Sequence, residues 1–158
     1  MLFRWRTRAS KAATFTVADW TVLIEALLTM PVVSVGLHSL EFPRVLARAR
    51  RRSECVGADL FDSVGGALSA TRIERVAWLA GVAARPTPFR CLTRSLTLVR
   101  LLARRGVSAD IRIGVRTEEG LLRAHAWVEW EGRALNDNER ALQGFARFDR
   151  VLGDTLHV

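Results

Sequence analysis

The sequence predicts an α+β domain, with helices first and a small antiparallel sheet after them, on three observations. Apolar residues recur at three- and four-residue spacing up to Gly106, most clearly over residues 71–84 and 91–105. Beyond Gly106 the period becomes two, with Ala109, Ile111, Ile113 and Val115 alternating against Asp110, Arg112 and Arg116. Two Gly-containing turns then divide the alternating part into short strands joined as hairpins.

Residues 1–13 are basic, with Arg4, Arg6, Arg8 and Lys11. Thr16 to Asp19 reads as a capping box with Asp in the usual Glu position, opening a helix through Trp20, Leu23, Ala26 and Leu27 that Pro31 interrupts. Residues 31–40 form a second apolar piece, and Pro43 suits the first position of a short basic helix running to Arg52. The apolar stretch 20–40 contains Glu25, Pro31, His38 and several hydroxyls, whereas a spanning helix wants about 20 mainly apolar residues. The basic start is compatible with a signal peptide but is followed by no convincing small-residue cleavage site. The reading is of helices that pack on the rest of the domain and expose an apolar surface at positions such as Leu27 and Val33 for a partner, with peripheral membrane contact as the lesser option.

Residues 53–69, with Gly57, Gly65 and Gly66, read as a linker. Thr71 to Glu74 is a capping box opening a helix whose Ile73, Val76, Ala77 and Ala80 face inward and which ends before Pro86. The expected organisation is therefore a helical region at 1–52, a linker at 53–70 and a core at 71–158.

Pro86 and Pro88 hold their segment extended, and no helix breaker follows until Gly106, so the next helix starts at or beside Cys91. Leu92, Leu96, Val99 and Ala103 form its core stripe, and Arg94, Thr97, Arg100 and Arg104 take another face. Arg104 and Arg105 complement the helix C-terminus, where Gly106 suits the left-handed cap. A thiol at a helix start meets unpaired backbone N–H groups and the positive end of the dipole, both of which favour thiolate. The bland alternative is a small buried hydrophobe.

After the first strand, residues 117–120 make a turn. Leu122, Ala124, Ala126, Val128 and Trp130 form one face of a second strand, and Arg123, His125, Trp127 and Glu129 the other. A third short strand spans 133–137. If Gly132 sits at the left-handed position of a three-residue loop, Glu129 pairs with Arg133 and His125 comes opposite Asp137; a two-residue turn instead opposes Ala126 to Asp137. In the first register Cys91, His125 and Asp137 supply a nucleophile, a base and an orienting carboxylate. Leu142, Phe145 and Phe148 read as a closing hydrophobic strap, while His38 and His157 lack the strand context of His125.

The 158 residues fit one domain, and the formal charge of +8 favours anionic partners. Of 24 basic residues only Lys11 is lysine, and the arginines are scattered rather than set on one stripe, which ranks a nucleic-acid-binding role third. Two cysteines, Cys55 and Cys91, imply a reducing, cytoplasmic setting, with Cys55 a loop or core thiol. No spacing calls for a metal, and no Gly-rich phosphate loop or other feature calls for a cofactor.

The helix RCLTRSLTLVRLLARRG, the strands IRIGVR and AHAWVEWEGR, and the end LND resemble, in that order, the lasso-peptide maturation proteases of the transglutaminase-like superfamily. The resemblance covers residues 84–138. It implies a transglutaminase-like or papain-like core and a Cys, His, Asp triad, carried by Cys91 before the Leu-rich helix, His125 of AHAW and Asp137 of LND. It further implies that a precursor peptide is cut from its leader before a separate lasso cyclase closes the ring. No winged-helix-type leader-binding domain is visible ahead of the core, so the resemblance is to the split form, in which another protein recognises the leader. The same triad serves acyl transfer in transglutaminases and arylamine acetyltransferases, which is the second functional reading.

Overall fold

The protein is described by a computed structural model covering residues 15–50 and 68–147. Four helices come first: α1 (Val17–Ser39), α2 (Phe42–Arg50), α3 (Ala70–Ala84) and α4 (Cys91–Arg104). The strands β1 (Asp110–Glu118), β2 (Leu121–Trp130) and β3 (Arg133–Ala134) follow, then the single-turn helix α5 (Glu139–Leu142) and β4 (Ala146–Arg147). The sheet is antiparallel in the order β3-β2-β1-β4, so the α+β class read from the sequence is the class found.

Helix α4 is the centre of the molecule, with α1, α2 and α3 packed around it and β2 and β1 on its remaining side. Leu96, Leu98, Val99, Leu101 and Leu102 are buried, and so are Thr93, Ser95 and Thr97. Thr97 therefore does not belong to an outer face. A helix covered on several sides has little outer face, and the Thr97 hydroxyl is satisfied inside the helix by donating to Thr93 O at 2.8 Å. Burial of each large apolar side chain contributes about 1.5–3 kcal/mol, so this packing fixes where the start of α4 lies.

The capping box at Thr16 and Asp19 forms as expected. Pro31, however, does not interrupt the helix. An interior proline removes one backbone hydrogen bond and costs about 3 kcal/mol. Val22, Leu23, Ala26 and Met30 before it and Val33 after it are all buried, while Pro31 itself is exposed, so inward packing on both sides carries α1 through. The two carboxylates of α1 also turn inward. Asp19 takes a two-pronged bond from Arg75 at 3.1 and 2.9 Å, which holds its carboxyl below the usual range, and Glu25 pairs with Arg104 and, at 2.8 Å, Arg105. What is left outside is an uncharged stripe of Val17, Trp20, Ile24, Leu27, Leu28, Val32 and Val35, all exposed. Val33 is not part of it, because its position on the 3.6-residue repeat is that of Met30 and Ala26.

Helix α2 starts at Phe42, one residue before the expected proline start. Helix α3 starts at Ala70 behind Ser69, so the capping box expected at Thr71 and Glu74 is absent. Thr71 is already inside the helix there, and Glu74 reaches Arg133 instead at 3.5 Å. Its inward residues and its end before Pro86 are as expected. The expected linker falls mostly on residues 51–67, outside the described residues, as do Cys55, Phe148 and His157.

Both hairpins close with two-residue turns. Glu119 and Gly120 have φ of 51° and 76°, and Glu131 and Gly132 have φ of 48° and 75°, the doubly left-handed geometry whose twist matches paired strands. The first strand pair therefore extends to Glu118 with Leu121, beyond the expected turn at 117–120. At the second turn Glu129 pairs with Ala134, not Arg133, and β3 lasts two residues instead of five. The direct opposition of His125 and Asp137 expected from a three-residue loop does not occur.

Candidate active site

Cys91 is the first residue of α4, behind an extended Arg90, and is half-buried. No acidic residue stands in the first turn, so no carboxylate competes with a thiolate for the helix dipole. His125 projects from β2, and Asp137 lies in the bend after β3. Despite the shifted register, the imidazole Nε2 hydrogen-bonds to Asp137 Oδ2. The Asn138 N–H donates to the other carboxylate oxygen at 2.9 Å and fixes its orientation. The thiol of Cys91 hydrogen-bonds to His125, for which Nδ1 is the ring nitrogen left.

The reason these groups meet is the early end of β3. Because β3 pairs only with Glu129 and Trp130, the edge of β2 before them has no neighbouring strand among the described residues. Leu135 N–H continues the ladder by one bond to Val128 O at 2.9 Å. Side chains then take over: Asn136 Oδ1 accepts from Val128 N at 2.8 Å, and the buried Ser95 of α4 donates to Ala126 O at 3.0 Å. The start of α4 thus lies along this edge, where the Ala126 N–H is directed at the Cys91 sulfur. Asp137 reaches His125 from just beyond the strand end, by a bend rather than by strand pairing.

The electrostatics follow from these contacts. The His125 bond, with smaller contributions from the Ala126 and Leu92 N–H groups, holds the Cys91 thiol below its ordinary value against the opposing effect of burial. His125 is pushed up to about 9, first by Asp137 and then by Cys91. Burial pushes the Asp137 carboxyl up, but the His125 bond, the Asn138 N–H and the imidazolium charge together outweigh it and leave it lowered. These shifts all favour a thiolate–imidazolium pair with a carboxylate behind it.

Trp127 and Phe145 flank the imidazole, with ring centroids 6.3 and 5.6 Å from it. Gly114 pairs with His125 across β1 and β2, and a Cβ there would lie 3.0 Å from Trp127 Cη2 and 3.1 Å from Phe145 Cβ. A side chain there would press on this aromatic wall, which would have to give by a few tenths of an ångström. Trp127 donates at 3.0 Å to Glu129, a buried carboxylate that also pairs with Arg112 and Arg147. The strap expected of Leu142 and Phe145 is present, and β4 behind it was not foreseen. His38 is exposed and hydrogen-bonds Ser34 O within α1, and the exposed Gln143 ends α5. Among the described residues no group of three or more His, Cys, Asp or Glu could hold a metal ion.

A family model for the transglutaminase-like superfamily matches residues 36–149. The chain belongs to this superfamily. No curated protein and no solved structure matches it. The matched region takes in the end of α1 and every later described element, so α2 and α3 share the superfamily unit with α4 and the sheet. Transglutaminase-like proteins are in general cysteine-dependent enzymes, and Cys91 is the free thiol among the described residues.

The pair has a pH signature. Because its thiol value is lowered, Cys91 alkylates with iodoacetamide at lower pH than an ordinary thiol and faster than Cys55 at neutral pH. Any step that takes a proton from the imidazolium is retained below about 9 and lost as the pH rises through it. Equal rates at the two cysteines with ordinary thiol profiles would contradict the ion pair.

Proposed function

We propose that the protein is a cysteine peptidase that cuts the leader from a ribosomally made precursor peptide, the activity of the lasso-peptide maturation proteases that its motifs resemble. The observation that supports this reading is the hydrogen-bonded series Cys91, His125, Asp137 at the start of α4, in a superfamily that includes cysteine peptidases and transglutaminases. The Cys91 thiolate attacks the carbonyl carbon of the scissile bond, and the charge that develops on its oxygen meets the unpaired N–H groups at the helix start. The C–N bond breaks as the His125 Nδ1–H protonates the leaving amine, giving a thioester. Neutral His125 then takes a proton from water whose oxygen adds to the thioester. The C–S bond breaks, a carboxylic acid leaves and the ion pair is restored. The reaction needs no cofactor and suits the reducing cytoplasm in which we place it.

Incubating the full chain with a leader-bearing precursor and weighing the products tests this. A leader fragment ending in a new carboxyl group supports hydrolysis, whereas incorporation of an added amine identifies acyl transfer. Steeply salt-dependent nucleic-acid binding without thiol chemistry would favour the third reading.

The proposal extends to leader recognition by a separate protein and to a lasso cyclase that closes the peptide released by cleavage. Among the described residues each helix ahead of the sheet packs on α4, and none forms a separate peptide-binding module. The exposed stripe of α1 is the docking face that this reading assigns to the leader-binding protein. Tethering there raises the local precursor concentration to about the mM scale. Cleavage by the isolated protein is then slow, and a leader-binding partner accelerates it to a plateau. Leu27→Asp or Val32→Asp removes the acceleration and leaves Cys91 alkylation as it was. Full-speed, leader-specific cleavage without a partner would refute recognition in trans, and acceleration by anionic lipid vesicles alone would assign the α1 stripe to a membrane surface instead.

A further inference from the structure

Cys91, His125 and Asp137 lie on three separate segments, yet one polar bridge touches all of them. Ser95 lies one helical turn after Cys91, its side chain fully buried. Its hydroxyl donates to the carbonyl of Ala126, the residue after His125, at 3.0 Å. It accepts at 3.1 Å from Nδ2 of Asn136, the residue before Asp137. The Asn136 amide cannot be turned over, because its Oδ1 accepts the Val128 N–H at 2.8 Å and only Nδ2 then faces Ser95. Each group has its partner, and the bridge fills the place where β3 would have continued along β2.

We infer that Ser95 and Asn136 are positioning residues, which together set the start of α4, the imidazole strand and the carboxylate bend at the spacing the thiol, ring and carboxylate need. Neither touches the reacting atoms in the proposed chemistry. Ala126 is the lever, since its C=O is held by Ser95 while its N–H is directed at the Cys91 sulfur. Loss of the hydroxyl frees that carbonyl and the Asn136 amide together, and the thiol loses its fixed distance to both the N–H and the ring. Asn136 is tied to its neighbour in the same way, because displacing its side chain moves the backbone that carries Asp137. A misplacement of about 1 Å in such a site costs about 10²-fold in turnover.

The inference rests on the peptidase reading for its consequence in catalysis, but the bridge itself is read from the thiol. The experiment compares iodoacetamide alkylation of Cys91 against pH, using mass spectrometry on the full chain, in the wild type, Ser95→Ala, Asn136→Ala, the double variant and Thr97→Val. Thr97 is the control, an equally buried hydroxyl on the same helix whose bond stays within the helix. The expected result is that Ser95→Ala and Asn136→Ala each move the alkylation midpoint to higher pH, and the double variant moves it no further than the larger single change. Thr97→Val leaves it in place. Should Ser95→Ala not fold, the half-buried Asn136→Ala alone carries the same expectation and adds no charge beside the site. With precursor as substrate, the same variants lower kcat about 10- to 100-fold with KM little changed. Profiles that coincide with the wild type in variants that merely melt earlier would overturn the positioning role. An ordinary thiol profile in the wild type would overturn the peptidase reading instead.

Discussion

Cys91→Ala abolishes cleavage of the precursor and leaves the fold intact. Alanine offers no nucleophile, and the neighbouring groups cannot substitute for one: His125 and Asp137 prepare and orient a thiolate but form no acyl bond in the proposed path. The expected loss in turnover is on the order of 10⁴-fold or greater, the scale seen when a nucleophile is removed from a triad whose members act as a unit. Stability changes little for three reasons. Cys91 is half-buried, so little apolar contact is lost. Alanine is well suited to the first turn of a helix. The His125 side chain that faces the thiol is itself partly open to solvent, where such pairs contribute about 0–1 kcal/mol. Mass spectrometry of the products and a thermal melt of the same sample separate the two effects. Cys55→Ala serves as the parallel control and retains activity. A well-folded Cys91→Ala protein that still turns over would end the thioester mechanism.

The fold was legible in the sequence wherever one element's pattern decided the outcome. The change of period at Gly106, the two prolines before Cys91 and the capping box at Thr16 each have a local cause and a local result. What escaped depended on neighbours. Pro31 reads as a break because the burial on both sides of it that carries α1 through comes from other elements that α1 packs against, chiefly α3 and α4. Thr97 reads as an outer residue because a helix covered on several sides has the same local sequence as one covered on a single side.

The site shows the same division. Cys91 at a helix start and His125 on a strand follow from local pattern, and the structure brings them together with Asp137. Their meeting was expected for a reason that does not hold, because the loop at Glu131 and Gly132 is a two-residue turn and β3 ends at Ala134. The actual link runs through Asn136 and Ser95, which carry no catalytic signature in sequence. A serine inside an amphipathic helix and an asparagine before a turn both have ordinary local explanations. The one available hint was LND itself, where two adjacent side chains, Asn136 and Asp137, follow a strand and face different partners. Gly114 is comparable: a glycine within an alternating strand marks a close approach, and here the approaching groups are Trp127 and Phe145.

His125→Ala costs nearly as much as loss of the nucleophile, about 10³-fold or more, because it removes the proton donor for the leaving amine and the largest influence holding the thiol down. The alkylation midpoint of Cys91 moves up toward that of an ordinary thiol. The backbone N–H groups of Ala126 and Leu92 remain as its partners, and burial continues to oppose ionisation. Asp137→Asn separates orientation from charge. The amide oxygen can still accept from Nε2–H and hold the ring, so the loss is smaller than for His125→Ala, but the charge-assisted bond to a carboxylate that chiefly raises His125 to about 9 becomes a weaker neutral one. The sign is then fixed. A histidine raised by a carboxylate keeps its proton up to about 9, and without the carboxylate it gives up that proton at lower pH, so the descending limb of the pH–rate profile moves down while the thermal melt changes less than turnover does. A descending limb that stays near 9 in folded Asp137→Asn protein would show that Asp137 does not hold the imidazolium, and the base would then be supported by some other group.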